Sequence, residues 1–338
     1  MKYDFPKVDL HCHLDGSFRI ESMYEMAQER NIELPGKTLE GYRAWMNEHA
    51  DAKDVNDYLK MFDWPTAILQ DKDSLIRTTR ELVEDRAKEG LRYVEIRFAP
   101  QLHTQKDLSQ RDAIEAVLEG KRQGEEANPS IKVGIILCMM SFGPEKLSHE
   151  ANKETASIIH EYLDKGVVCL DLAGAEGFDP LIAYKPLFDI AKNNNVPCIC
   201  HAGDSPEWPT VKDAIDMGAV RIGHGHHIYE NPELCRYAAK HGIALEICPT
   251  SNVQCKTRQS YQFHPAYNLY KLGIPVTINT DNMVMARVNL DDEYDHCLNE
   301  MGFEYNDLIQ MNINSFNVSF APKEYKEEMI EILKSKLK

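Results

Sequence analysis

Eight short apolar runs, most of them followed by a helical pattern, leave few architectures open to this chain. The runs are 7–13, 93–100, 131–139, 167–174, 196–203, 221–225, 245–252 and 276–282. They are rich in Val, Ile and Leu, as strands covered on both faces are. Helical patterns lie between them, for example at 205–217, 231–241 and 263–272. Each of these ends just before a glycine, Gly218, Gly242 or Gly273, which is a helix stop signal. The alternation predicts an α/β fold, a (β/α)8 TIM barrel of parallel strands. A doubly wound open sheet is the competitor, but no glycine-rich phosphate loop follows the first run.

Two segments exceed a minimal barrel. The stretch between the first and second runs is far longer than one crossover helix requires, and 20–30 and 55–69 are helical in pattern. It reads as a helical insertion after the first strand, a cap at about 14–90. After Asp281 the chain continues as charged helical sequence, a C-terminal extension. With no internal repeat and no Pro/Gly-rich linker, 1–338 is expected to be a single domain.

Acidic residues outnumber Lys plus Arg by 54 to 38, for a formal charge of −16. No basic stripe offsets this, so neither nucleic acid nor an anionic membrane is an expected partner. The longest apolar stretch, near 133–140, is far short of the roughly 20 residues that span a bilayer. The first residues enter a strand pattern at once, without a signal-peptide apolar region. Nine cysteines without regular spacing read as reduced thiols. A cytoplasmic protein is the expectation.

The chemistry gathers where the runs end. The first ends in His11-Cys12-His13, the fifth near His201, the sixth near His224 and the eighth near Asp281. Functional groups of such barrels sit at the C-terminal strand ends, facing one cavity. His11 and His13 are two apart and project to the same side of a strand. Inward imidazoles beside a carboxylate make an N/O site for a divalent metal, zinc first. Taken singly, each residue has a plainer role: His201 a core histidine, His224 part of a solvated turn, Asp281 a helix cap. Their coincidence at four strand ends favours the site. Cys12 points the opposite way from its neighbours, and no Cys-x-x-Cys spacing suggests a thiolate site.

His11-Cys-His-Leu-Asp15-Gly, His201-Ala-Gly-Asp204, Gly223-His224-Gly and Asn279-Thr-Asp281-Asn282 resemble, in order, the motifs of adenosine deaminases. Tyr93-Val-Glu-Ile-Arg-Phe-Ala-Pro100, Leu170-Asp-Leu-Ala-Gly174 and Cys248-Pro-Thr-Ser-Asn252 add to the likeness. The resemblance implies one zinc ion on His11, His13, His201 and Asp281, with His224 beside the attacking water. It implies hydroxide addition at C6 of a purine nucleoside and loss of ammonia, the substrate being adenosine or 2′-deoxyadenosine. Another 6-aminopurine such as adenine or methylthioadenosine, or a catalytically weakened metal-binding relative, is the alternative. Asp15 would hold the ribose 5′-hydroxyl, Gly174 N–H the purine N3, and Tyr58, Leu59 and Phe62 the gate over the ribose. For Asp15 a helix cap, and for the three gate residues ordinary packing, are equal readings. Two positions depart from the family pattern. Asp204 stands where a glutamate protonates N1, and is shorter by about 1.5 Å. Asn282 stands where an aspartate meets N7, and its amide can donate there. Glu207 is a second candidate for the acid.

Overall fold

The computed structural model describes residues 2–141, 146–177, 179–205 and 208–337, the side chains of 146–149 excepted. Eight parallel strands run β1 (Lys7–His13), β2 (Leu91–Phe98), β3 (Lys132–Ser141), β4 (Val167–Gly174), β5 (Cys200–Ala202), β6 (Arg221–His224), β7 (Ala244–Ile247) and β8 (Val276–Ile278). Pairing is sequential within β1–β4 and within β5–β8. Two single bridges join these halves, Leu170 with Cys198 and Cys12 with Asp281. At the second seam Asp281 N–H donates to His11 O at 2.8 Å and His13 N–H to Asp281 O at 2.7 Å. The ring is closed, and the fold is the (β/α)8 barrel.

β1 and β4 have the bounds read from the sequence, and the later strands are shorter. The run 245–252 was expected as one strand. β7 ends at Ile247 and Pro249–Gln254 is a helix, with Pro249 in its first turn. Proline has no N–H for the ladder, yet suits the start of a helix. Gly218, Gly242 and Gly273 all have positive φ just past helices, as their stop role requires.

Val55–Leu59 and Asp63–Ile68 border the cavity at the mouth, and Ile20–Glu29 packs against Leu39–His49 and Asp63–Ile68. Lys72–Lys88, capped by Asp71, packs against Gln110–Ala127 and β2. It therefore belongs to the outer ring, and the part over the mouth ends near Leu69. In the C-terminal part, Tyr305–Val318 lies against β1 and β8. Asn312 Oδ1 there accepts the Val8 N–H at 2.9 Å. One hydrophobic cluster runs from Tyr3 to Leu333. All nine cysteines are buried thiols. No helix among the described residues is long and apolar enough to cross a membrane.

His103 ties the cap to the barrel. Its ring is fully buried against Phe98, and Nδ1–H donates to Leu69 O at 2.8 Å. Burial lowers its pKa to about 4. The unfolded chain therefore binds a proton here, below about pH 6.5, that the folded chain refuses until about pH 4. Stability is lost as pH falls through that window, by at most about 1.4 kcal/mol per pH unit. His103→Asn keeps a donor near Nδ1 and does not titrate. Urea unfolding from pH 7 to 4.5 should show a shallower loss for the variant, and parallel curves would contradict this origin.

Candidate active site

Inside the strands lies a layer of buried charge. Arg97 donates from Nη1 to Asp171 Oδ2 at 2.8 Å and from Nη2 to Glu246 Oε2 at 2.7 Å. Arg221 donates from Nε to Glu246 Oε1 at 2.7 Å and also pairs with Glu95. All five side chains are essentially inaccessible. The layer's carboxylates hold the histidines above them. Glu246 Oε2 lies 2.9 Å from His11 Nδ1, and Asp171 Oδ2 lies 3.1 Å from His201 Nδ1. Each carboxylate accepts the Nδ1–H, leaving the Nε2 lone pair of His11 and His201 to face inward. Such carboxylate–histidine pairs orient metal ligands.

The inward atoms converge. His13 Nε2 is 3.3 Å from His201 Nε2 and 3.4 Å from Asp281 Oδ1, which is 3.5 Å from His11 Nε2. His11 Nε2 is buried with no hydrogen-bond partner. Four ligands about 2.0–2.1 Å from a tetrahedral ion stand about 3.3 Å apart. The donor set and its spacing fit a divalent ion, with three imidazole nitrogens and one carboxylate oxygen. Cys248 also comes within 4.8 Å of His11 and Asp281, but burial raises its thiol pKa well above the ordinary value.

His224 and Asp281 both take positive φ, 60° and 58°. For a non-glycine residue this conformation costs about 1–3 kcal/mol. Here it turns both side chains from the strand ends toward the mouth. Burial lowers the His224 pKa to about 4, against the pull of Asp204, so its imidazole is neutral. Asp204 Oδ1 is held by Asn252 Nδ2 at 2.7 Å, Thr257 Oγ1 at 3.0 Å and His226 Nε2 at 3.2 Å. Burial works against its charge, but His224 and His226 outweigh it and hold the carboxyl below the usual range.

Above the cluster opens a cavity of about 350 Å³. His13, His201, His224, Asp204, Asp281, Asp15, Asn282 and Gly174 line one side, with Tyr58, Leu59 and Phe62 from the cap opposite. A small apolar group of Ala99, Cys138, Met140 and Ala173, with Leu102, forms another wall. Asp15 Oδ1, Asn282 Oδ1 and the Tyr58 hydroxyl are buried without partners. Burial raises the Asp15 pKa to about 7. Gly16 must be glycine because a Cβ there would lie 2.0 Å from Asn282 Oδ1. At Gly174, φ is +99° and a Cβ would lie 2.7 Å from Ser141 O. Of the twelve site residues expected from the sequence, eleven line this cavity, and His11 lies just behind them, fully buried. Glu207 lies outside the described residues.

Sequence reasoning missed Glu95, Arg97, Asp171, Arg221 and Glu246, and the role of Asn252. A signal existed for the first two: charges at alternate positions inside an apolar strand.

A barrel with imidazoles and carboxylates gathered at its strand ends, beneath an apolar-walled cavity, has the make-up of a metal-assisted hydrolase. The adenosine deaminase family profile matches residues 6–336, and the chain belongs to that family. Adenosine deaminases from Clostridium acetobutylicum and Haemophilus ducreyi are 35% and 36% identical to it. These alignments cover 98% and 96% of this chain and 97% and 94% of the relatives. Among solved structures, an adenine deaminase from Arthrobacter aurescens superposes with a TM-score of 0.87 at 22% identity, covering 98% of both chains. The Arabidopsis N6-mAMP deaminase superposes with a TM-score of 0.85 at 26% identity, covering 98% of both chains.

The buried layer makes one prediction about stability. Glu246→Ala removes the carboxylate shared by Arg97, Arg221 and His11 and leaves two guanidinium groups under-paired. Breaking a buried pair this way costs about 3–5 kcal/mol. Urea unfolding should show that loss, and a change near zero would remove the layer from its structural role.

Proposed function

We propose that the protein hydrolyses the 6-amino group of adenosine and 2′-deoxyadenosine, giving the corresponding inosine nucleoside and ammonia. One zinc ion per chain belongs to this reading, held by His11, His13, His201 and Asp281. When bound, the ion lowers the pKa of water so that a nucleophile exists near neutral pH.

The observation that carries the reading is the make-up of the cavity. Its walls are apolar and its floor carries the strand-end cluster, with four carboxyl groups, Asp15, Asp63, Asp204 and Asp281, among the lining residues. No lysine or arginine occurs among the described lining residues. A 5′-phosphate would meet the carboxylates of Asp15 and Asp63 with no described Lys or Arg in the lining to offset them, so a nucleoside is favoured over a nucleotide. Asp15, whose Oδ1 is buried without a partner, accepts the ribose 5′-hydroxyl. The Gly174 N–H meets N3 and the Asn282 amide donates to N7. Tyr58, Leu59 and Phe62 close over the sugar.

Asp204 works at N1. Asn252 and His226 donate to Oδ1, with Thr257 sharing its one hydroxyl hydrogen between Oδ1 and Asn252 O, which leaves Oδ2 to face the ring and fixes the shorter side chain in place. The carboxylate is ionised at rest, so the proton it delivers is one it first receives. As water adds to C6 it gives one proton to Asp204, which passes it to N1. The second proton leaves with the amine as ammonia, and the oxygen remains on C6.

An ultraviolet assay of the zinc-loaded protein against adenosine, 2′-deoxyadenosine, adenine, methylthioadenosine and AMP tests the substrate. The two nucleosides should turn over fastest, and a preference for AMP would overturn the reading. Elemental analysis should find about one zinc per chain in protein purified without chelator. His224→Ala should keep that metal and lose about 2.7–4 kcal/mol of transition-state stabilisation, read from kcat/KM. Asp204→Asn should lower kcat by about 100-fold or more at unchanged zinc content. A nearly silent Asp204→Asn would move the acid elsewhere.

A further inference from the structure

The hydrogen bonds behind His224 have a direction that can be traced from their root. Ala266 donates its backbone N–H to His264 Nδ1 at 3.1 Å. A backbone amide nitrogen only donates. His264 Nδ1 is therefore a bare acceptor, and in a neutral ring the hydrogen sits on Nε2. Burial keeps this ring neutral by holding its pKa well below the usual imidazole value. His264 Nε2 lies 3.1 Å from Asn252 Oδ1. That contact fixes the amide with its oxygen toward His264 and Nδ2 on the far side.

Asn252 Nδ2 then has two acceptors within reach, Asp204 Oδ1 at 2.7 Å and His224 Nδ1 at 3.1 Å. It carries one hydrogen for each. Asp204 cannot take a hydrogen from His224 Nδ1, because the two atoms are 3.8 Å apart, beyond hydrogen-bond distance. His224 Nδ1 faces a donor and must accept, so the ring hydrogen sits on Nε2. A second chain reaches the same carboxylate with the same polarity. Arg258 Nε–H donates to His226 Nδ1 at 2.8 Å, and a guanidinium only donates. His226 therefore gives its Nε2–H to Asp204 Oδ1 at 3.2 Å.

We propose that His264 and Asn252 are positioning residues that set the tautomer of His224, so that it offers Nε2–H to the attacking water as a donor and leaves the water's proton to Asp204. The proposal rests on the reading that His224 faces that water. It gives a purpose to Asn252 of the Cys-Pro-Thr-Ser-Asn motif: one amide orients both the histidine and the carboxylate.

The test is 15N NMR of the zinc-loaded full-length protein labelled at histidine, without substrate, with the His224 signals assigned by their loss in His224→Gln. His224 should show a protonated Nε2 and a bare Nδ1. In parallel, His264→Phe should lower kcat by about 10–100-fold, with KM and zinc content little changed. His264→Gln, which keeps an N–H near the Nε2 position, should restore most of the turnover. A hydrogen on His224 Nδ1, or wild-type kcat in His264→Phe, overturns the proposal. Should His264→Phe fail to fold, the wild-type spectrum and the turnover of His264→Gln decide. If the zinc-loaded protein deaminates no 6-aminopurine, the functional reading fails instead, and the spectrum still decides the tautomer.

Discussion

The Glu246 carboxylate, clamped between two arginines, is the constraint on which the rest of the barrel interior depends. Oε1 takes the Arg221 Nε–H, and Oε2 takes both the Arg97 Nη2–H and the His11 Nδ1–H. An isolated charge at this depth would cost several kcal/mol. The cost is offset because every charge in the layer has a partner of opposite sign in hydrogen-bond contact. The same contacts give His11 and His201 a fixed ring orientation and a fixed tautomer. The strand-end cluster is thus assembled from below before anything enters from above.

The alternation of strand and helix was legible because both periods are local. β1 and β4 fall at the bounds expected from the apolar runs, and His11 and His13 point the same way because a strand alternates side chains. What could not be read is non-local. Arg97 meets Asp171 and Glu246 across 74 and 149 residues of chain, and no periodicity encodes that pairing. Asn252 was misplaced on a strand because Cys248-Pro249-Thr250 continues an apolar run whose proline ends the ladder. Once the chain turns into a helix there, Asn252 swings under Asp204 and His224. The cap residues Tyr58, Leu59 and Phe62 were readable as one helical face and, from the family resemblance, as a gate, and all three line the cavity.

Two of the seven non-glycine residues that take positive φ among the described residues sit where the chemistry is proposed. His224 and Asp281 both adopt left-handed φ at strand ends, and two backbone hydrogen bonds to β1 hold the Asp281 conformation. The close contact of Gly16 with Asn282 works in the same sense, since it brings the β1 and β8 loops together without side-chain bulk between them. Conformations that cost energy locally are kept because the sheet around them gives no cheaper alternative.

The barrel is sewn from two four-stranded halves by single bridges, and this bears on how fast an ion could come and go. Of the four proposed ligands, His11 and His13 sit on the first half, while His201 and Asp281 sit on the second. An ion bound to all four acts as a clasp across the Cys12–Asp281 seam. If the seam opened, ligands on the two halves would move apart, so loosening of the barrel and loss of the ion would be coupled. Residence time at this centre would then be set by the rigidity of the barrel as much as by ligand affinity.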